Sequence, residues 1–166
     1  MTTPVATSTP LVHRVAKELA ASPMFLLARL GFGVKARLLD EAGASGFALY
    51  DFSVLALVAE GRGEAQARIA EVLAVDPSRV VALLDSLEQR GLVVRQRDLQ
   101  DRRRHVVTIT PAGTKELQRL RAIVKRLEAE FLAPLDAEQR RTLHELLLLL
   151  AAEHDPACAF AEQAAT

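Results

Sequence analysis

The chain has 166 residues, half of them hydrophobic and 4% aromatic, and its 21 Lys and Arg balance 21 Asp and Glu to a formal net charge of zero. That length fits one domain, or one domain with helical extensions, and an apolar fraction built on Leu, Val and Ala suits packed helices. The single cysteine, Cys158, excludes an intrachain disulfide and a cysteine zinc cluster; no apolar run reaches membrane length and no signal peptide shows, so the chain reads as cytosolic, without a membrane partner.

Residues 1–10, rich in Thr, Pro and Ser, read as a disordered tail. Leu11 to Ala21 places Leu11, Val15 and Leu19 four apart and predicts a short helix, separated by Pro23 from a longer one over Met24 to Ala42. The longer helix carries Phe25, Leu26, Leu27, Leu30, Phe32, Val34, Leu38 and Leu39 on more than one face, which predicts burial between other helices. Gly31 and Gly33 in its middle suit close helix crossing, or room for a ligand. After the turn at Gly43 to Gly46, Tyr50 to Ala59 forms the next helix, closed by Gly61 and Gly63.

Ala65 to Leu73 predicts a short amphipathic helix with Ile69, Val72 and Leu73 inward. Asp76 then offers its carboxylate to free backbone amides as an N-cap, and Pro77 fits the first helical position. From Pro77 to Arg90, Val80, Leu83, Leu84 and Leu87 share one face; Ser78, Ala82, Asp85, Ser86 and Gln89 share the other, with Arg79 and Val81 on its flanks. Gly91 ends the helix as a left-handed residue. Two β-type runs follow, Leu92 to Arg97 and His105 to Thr110, and from Arg90 to His105 six arginines stand against two aspartates. The order is helix, turn, helix, then a two-stranded hairpin tipped with arginines: a winged helix-turn-helix. A small, polar helix face can sit close to base edges in a major groove, and a thin cationic loop can enter a minor groove.

After Thr110-Pro111 a long helix runs to about Leu132, with Leu117, Leu120, Val124, Leu127 and Phe131 three or four apart, and Pro134 breaks it. Asp136 and Gln139 make a capping-box start for a last helix over Ala137 to His154. Leu146 to Leu150 is leucine all the way round, and the surface formed by Leu146, Leu147 and Leu150 reads as a dimer interface. The fold class is therefore mainly α with a small β-hairpin wing. N-terminal helices (11–45) and C-terminal helices (111–154) that dimerise flank the winged helix-turn-helix (46–110), and residues 155–166 form a tail.

The strings Gly46 to Leu55, Ile69 to Leu73, Leu83 to Leu92, Arg95, Asp101-Arg102-Arg103 and Ile109 to Gly113, in that order, resemble the MarR family of winged-helix transcriptional regulators. The resemblance spans roughly residues 24 to 152, and the wing signature of Asp, any residue, Arg, then a strand ending in Thr with a following Gly is its most specific part. Two positions depart from the pattern: Ala65 replaces a hydroxyl cap and Leu99 a common wing proline. The resemblance implies an obligate homodimer, double-stranded DNA with inverted half-sites as partner, and often a small-molecule effector that weakens DNA binding. On it, Ser78, Arg79, Val81, Ala82 and Ser86 face bases or phosphates and Arg103 enters the minor groove. Asp101 holds Arg103 extended, and Arg95, Arg102 and Arg104 contact phosphates. The family's usual pocket makes Phe25, Arg29, Phe32, Tyr50 and Phe52 ligand candidates, with His13 if the first helix folds over. Arg29 suits an anionic aromatic ligand, or simply a salt bridge.

No catalytic constellation accompanies these elements. The four histidines, His13, His105, His144 and His154, are scattered, and no Gly-rich phosphate loop is present. His154 and Cys158 are too few for a metal site, and Cys158 has no adjacent cation to activate a thiol, so neither cofactor nor enzyme activity is expected. The absence of tryptophan counts against a urate-type ligand. The competing class is a winged-helix protein-interaction module, which zero net charge favours; steep salt dependence would separate a DNA binder from it.

Overall fold

A computed structural model describes residues 15–45, 50–61, 64–97, 105–155 and 157–158. The elements run α1 (Lys17–Ala20), α2 (Pro23–Ser45), α3 (Asp51–Glu60), β1 (Glu64–Ala65), α4 (Gln66–Val72), α5 (Pro77–Gln89), β2 (Val93–Arg97), β3 (His105–Ile109), α6 (Pro111–Phe131) and α7 (Ala137–His154). The chain divides between Leu39 and Asp40 into two units.

In the second unit, the apolar stripes of the helices meet in one core. Val54, Leu55 and Val58 of α3, Ile69 of α4, Val80, Leu84 and Leu87 of α5, Val93 and Val107 of the sheet, and Leu117 and Leu120 of α6 are all buried. Each such side chain contributes about 1.5–3 kcal/mol, so the core fixes where the outer face of α5 points. Leu83, expected on the same face, lies at its margin and is half-buried.

The joints on either side of α5 have specific chemistry. Asp76 caps the helix by accepting from the Ser78 amide, with Pro77 at the first position as the sequence indicates. At the other end Gly91 adopts φ +68°, its amide bonds to the Glu88 carbonyl, and the Leu92 amide bonds to the Leu87 carbonyl. That is a Schellman closure. The end of α4 closes in the same way, with Ala74 at φ 49° in the left-handed position and bonds from Ala74 and Val75 to the carbonyls of Glu71 and Ala70. Thr110 caps α6 by accepting from the Gly113 amide, and its hydroxyl also reaches the Gly91 and Leu92 carbonyls. The capping box of α7 forms between Asp136 and Gln139.

Two sequence expectations change. The sheet has three antiparallel strands, not two, in the order β1-β3-β2, with Glu64 opposite Val107 and Ala65 opposite Val106. Ala65 is thus a strand residue and the N-cap of α4 rather than part of the helix. The second change concerns α2. It was expected to be buried, yet Met24, Leu26, Leu27, Leu30, Phe32 and Leu39 are exposed, Phe32 by 75%. Apolar residues around most of a helix call for another packing layer, and among the described residues these side chains are left exposed. Of the helix expected over Leu11 to Ala21, the described part is α1; residues 11–14 lie outside the described residues.

Candidate nucleic-acid interface

The outer face of α5 follows from the burial of Val80, Leu84 and Leu87 on its inner face. At 3.6 residues per turn, Ser78, Ala82, Asp85 and Gln89 line up opposite that stripe, with Ser86 and Arg79 to one side and Val81 and Glu88 to the other. Ser78, Arg79, Val81, Ala82 and Ser86 are all exposed, so the five recognition candidates share one accessible surface.

Two of those side chains are already engaged. The Ser78 hydroxyl donates to Asp76 Oδ1 at 2.5 Å, beside the amide bond to the same oxygen at 2.8 Å. These two donors, the hydroxyl first and the amide second, hold the Asp76 carboxyl below the usual carboxylate range. The Arg79 guanidinium lies 5.8 Å from the centre of the Tyr50 ring, a cation–π distance that orients it at the start of the helix. Tyr50, a ligand candidate from the sequence, therefore also supports the start of α5.

Arg95, on β2, turns back onto α5. Its Nε and Nη2 donate to Glu88 Oε2 at 2.9 and 2.6 Å, its backbone amide donates to Glu88 Oε1 at 3.0 Å, and Nη2 also meets Asp85 Oδ1 at 2.5 Å. The Arg95 side chain holds the Glu88 carboxyl below its ordinary range, its backbone amide adding to the effect, and the two carboxylates raise the guanidinium's own affinity for its proton. A third arginine closes the far end of the helix. Arg90 donates to Asp51 Oδ2 at 2.5 Å and lies 3.8 Å from Glu116, so the end of α5 is tied to the start of α3 and the first turns of α6. Asp51 is only 1% exposed.

The sequence reading missed these partners. It placed Asp85 on the outer face and gave Asp51 and Arg90 no role. The one available signal was the pair of carboxylates three residues apart on α5, followed by an arginine shortly after the helix-ending glycine. Only the strand direction after Gly91 brings them together.

Asp101, Arg102, Arg103, Arg104 and His13 lie outside the described residues. Phe25 is half-buried in the first unit, where Arg29 and Phe32 are exposed; in the second, Phe52 packs against the core. Leu146, Leu147 and Leu150 are exposed by 54%, 41% and 47%, and α7 buries none of its residues. A cleft of about 330 Å³ between the end of α6 and α7 is lined by Lys125, Glu128, Leu132, Arg140, His144 and Leu147, and so opens beside this leucine surface. Burial and then the Asp155 carboxylate raise the Cys158 thiol above its ordinary range, the reverse of an activated thiol. Among the described residues no helix is long and apolar enough to cross a membrane.

A three-stranded sheet whose β2–β3 pair follows α4 and α5, packed through their buried inner faces, defines a winged helix-turn-helix. The MarR family model matches residues 49–105, the stretch from α3 to the start of β3. The chain belongs to the MarR family of transcriptional regulators. It is 30% identical over 96 residues to the transcriptional regulator HosA of Escherichia coli, covering 58% of this chain and 71% of HosA. A regulatory protein for the hcr operon of Thauera aromatica is 35% identical over 96 residues, which span 58% of each chain. Among solved structures, the repressor CouR bound to a 23-mer DNA duplex superposes with a TM-score of 0.74 at 31% identity, covering 83% of this chain and 99% of that one. CouR of Rhodococcus jostii RHA1 bound to p-coumaroyl-CoA gives 0.70 at 29%, covering 82% and 96%.

Proposed function

We propose that the protein is a homodimeric, sequence-specific DNA-binding transcriptional repressor whose operator is an inverted repeat. The observation that carries the reading is the outer face of α5: small, polar, exposed, and fixed from behind by a fully buried stripe. Such a helix fits a major groove, with two copies one helical turn apart, roughly 34–36 Å. Ser78, Arg79, Val81, Ala82 and Ser86 then face bases or phosphates. Arg103, flanked by Asp101, Arg102 and Arg104, is assigned to the neighbouring minor groove from the family pattern.

The second copy is assigned to the apolar surfaces the single chain leaves uncovered. These are α2, with Met24, Leu26, Leu27, Leu30 and Phe32, and α7, with Leu146, Leu147 and Leu150. Covering them recovers burial free energy that a monomer forgoes. An anionic aromatic effector is consistent with CouR, which is seen with p-coumaroyl-CoA, and with the exposed Arg29 and Phe32 on α2. Phe25, Tyr50, Phe52 and His13 are the remaining candidates for that site.

Selection of bound sequences from a random duplex pool tests the reading. The expected result is a palindrome with half-sites one turn apart and affinity that falls steeply with salt. Recovery of no sequence at low salt would shift the assignment to a protein-interaction module, the reading that zero net charge favours.

A further inference from the structure

The outer face of α5 carries a charge that a DNA-reading surface should not tolerate. Asp85 lies seven residues after Ser78 and three after Ala82, so its carboxylate belongs to the middle of that face, with Glu88 on the adjoining flank. Two carboxylates there would oppose the approach of phosphates. In the structure both are held by one guanidinium: Arg95 Nη2 lies 2.5 Å from Asp85 and 2.6 Å from Glu88, while Nε and the backbone amide fix Glu88 a second and third time. The Arg95 side chain is 24% exposed, less than either partner, so it sits between them rather than reaching outward.

We infer that Arg95 is a positioning and charge-compensating residue for DNA binding, acting through Asp85 and Glu88 rather than as a phosphate contact. It draws both carboxylates toward the base of the wing and halves the negative charge that the helix face presents. It also latches β2 to α5, so the hairpin and the recognition helix meet DNA at a fixed spacing. The same arginine would otherwise be counted among the wing's phosphate contacts, and the two roles make opposite predictions. This inference rests on the DNA-binding reading above.

The test is a cycle of four proteins on the selected operator: wild type, Arg95→Gln, Asp85→Asn/Glu88→Gln, and the triple variant. Thermal unfolding of each confirms that it is folded at the assay temperature. Arg95→Gln is expected to weaken binding by roughly tenfold or more, because two uncompensated carboxylates then face the phosphates. Neutralising the carboxylates should recover about tenfold in the Arg95→Gln background but change the wild-type background by no more than about twofold to threefold. The triple variant should keep the wild-type salt slope, whereas a lost phosphate contact in each of the two copies would lower that slope by about 1.8. Additive effects in the two backgrounds, or a lowered slope in the triple variant, would overturn the inference while leaving the regulator reading intact. A wild-type protein that binds no duplex would overturn both.

Discussion

Replacing Gly113 with Ala tests the joint that sets the wing against α6. An added Cβ would stand 2.0 Å from the Leu92 carbonyl oxygen, 2.8 Å from Ile109 Cγ1 and 2.9 Å from the Leu92 carbonyl carbon. The Ile109 contact can be relieved by a side-chain adjustment, but the carbonyl cannot be. That oxygen accepts from the Thr110 amide at 3.0 Å and from the Thr110 hydroxyl at 3.1 Å, so moving the first turn of α6 away strains both. The Gly113 amide is itself the donor to the Thr110 cap at 3.0 Å. Losing the cap costs about 0.5–2 kcal/mol, weakening the backbone bond about 0.5–1.5 and residual overpacking about 1–3. A gain of about 0.4–1 kcal/mol from the stiffer unfolded chain offsets part of this. The net expectation is a loss of roughly 1–6 kcal/mol. Equilibrium urea unfolding at fixed protein concentration measures it, with an unchanged m-value showing that the same surface unfolds. A stability within about 0.5 kcal/mol of wild type would refute the argument that this approach is too close for any side chain.

Ala74→Gly should act in the opposite direction. Ala74 occupies the left-handed position that closes α4 at φ 49°, a conformation costing a non-glycine residue about 1–2 kcal/mol, against an unfolded-state entropy loss of about 0.4–1 for glycine. The melting temperature should rise by a few degrees; a lower one would mean the turn is not strained. Acid stability depends in part on Glu116, held below the ordinary carboxylate range by the Arg119 hydrogen bond first and by Arg90 more weakly. A carboxylate with a depressed folded pKa stabilises the fold above its unfolded value, near 4.3, and loses that contribution as pH falls through the folded value. Glu116→Gln should therefore lower stability at pH 7 and flatten its decline below about pH 5, while Asp76 and Glu88, also held low, preserve part of the acid limb. An unchanged acid limb in urea titrations would remove Glu116 from the account.

Most of the fold was legible because its signals are local. Asp76-Pro77, Gly91, Thr110-Pro111 and the Asp136/Gln139 box each mark an element boundary by backbone chemistry that needs no tertiary information, and each does so in the structure. Burial of Val80, Leu84 and Leu87 followed from their spacing. What stayed hidden was non-local. The two residues of β1 have no strand character of their own and pair only because β3 offers a free edge. The exposure of α2 was misjudged because an apolar helix demands cover, while its sequence says nothing of whether that cover comes from the same chain. The partners of Arg90 and Arg95 were missed for the same reason: Asp51 is 39 residues away in sequence, and Glu88, though near in sequence, lies across a helix-to-strand reversal.

Zero net charge looked like the strongest objection to a nucleic-acid partner, and the pairing pattern answers it. Among the described residues of the second unit, Arg90, Arg95 and Arg126 are each joined to carboxylates of other elements, and Arg119 to Glu116 within α6, so part of the formal charge is held in internal pairs. Arg90 is the most consequential of these. Breaking a buried pair by removing one partner costs about 3–5 kcal/mol, toward the lower end here because Arg90 is itself 35% exposed. One guanidinium thereby joins the end of α5 to α3 and α6, and at the helix start Asp76 and the Arg79–Tyr50 contact do the equivalent. On the proposed function, a helix fixed at both ends would meet a groove without first being ordered, so that its small polar face would discriminate bases with little entropic loss on binding. The charge that matters for DNA is therefore what remains after the internal pairs are made, and it is a local quantity that whole-chain composition averages away.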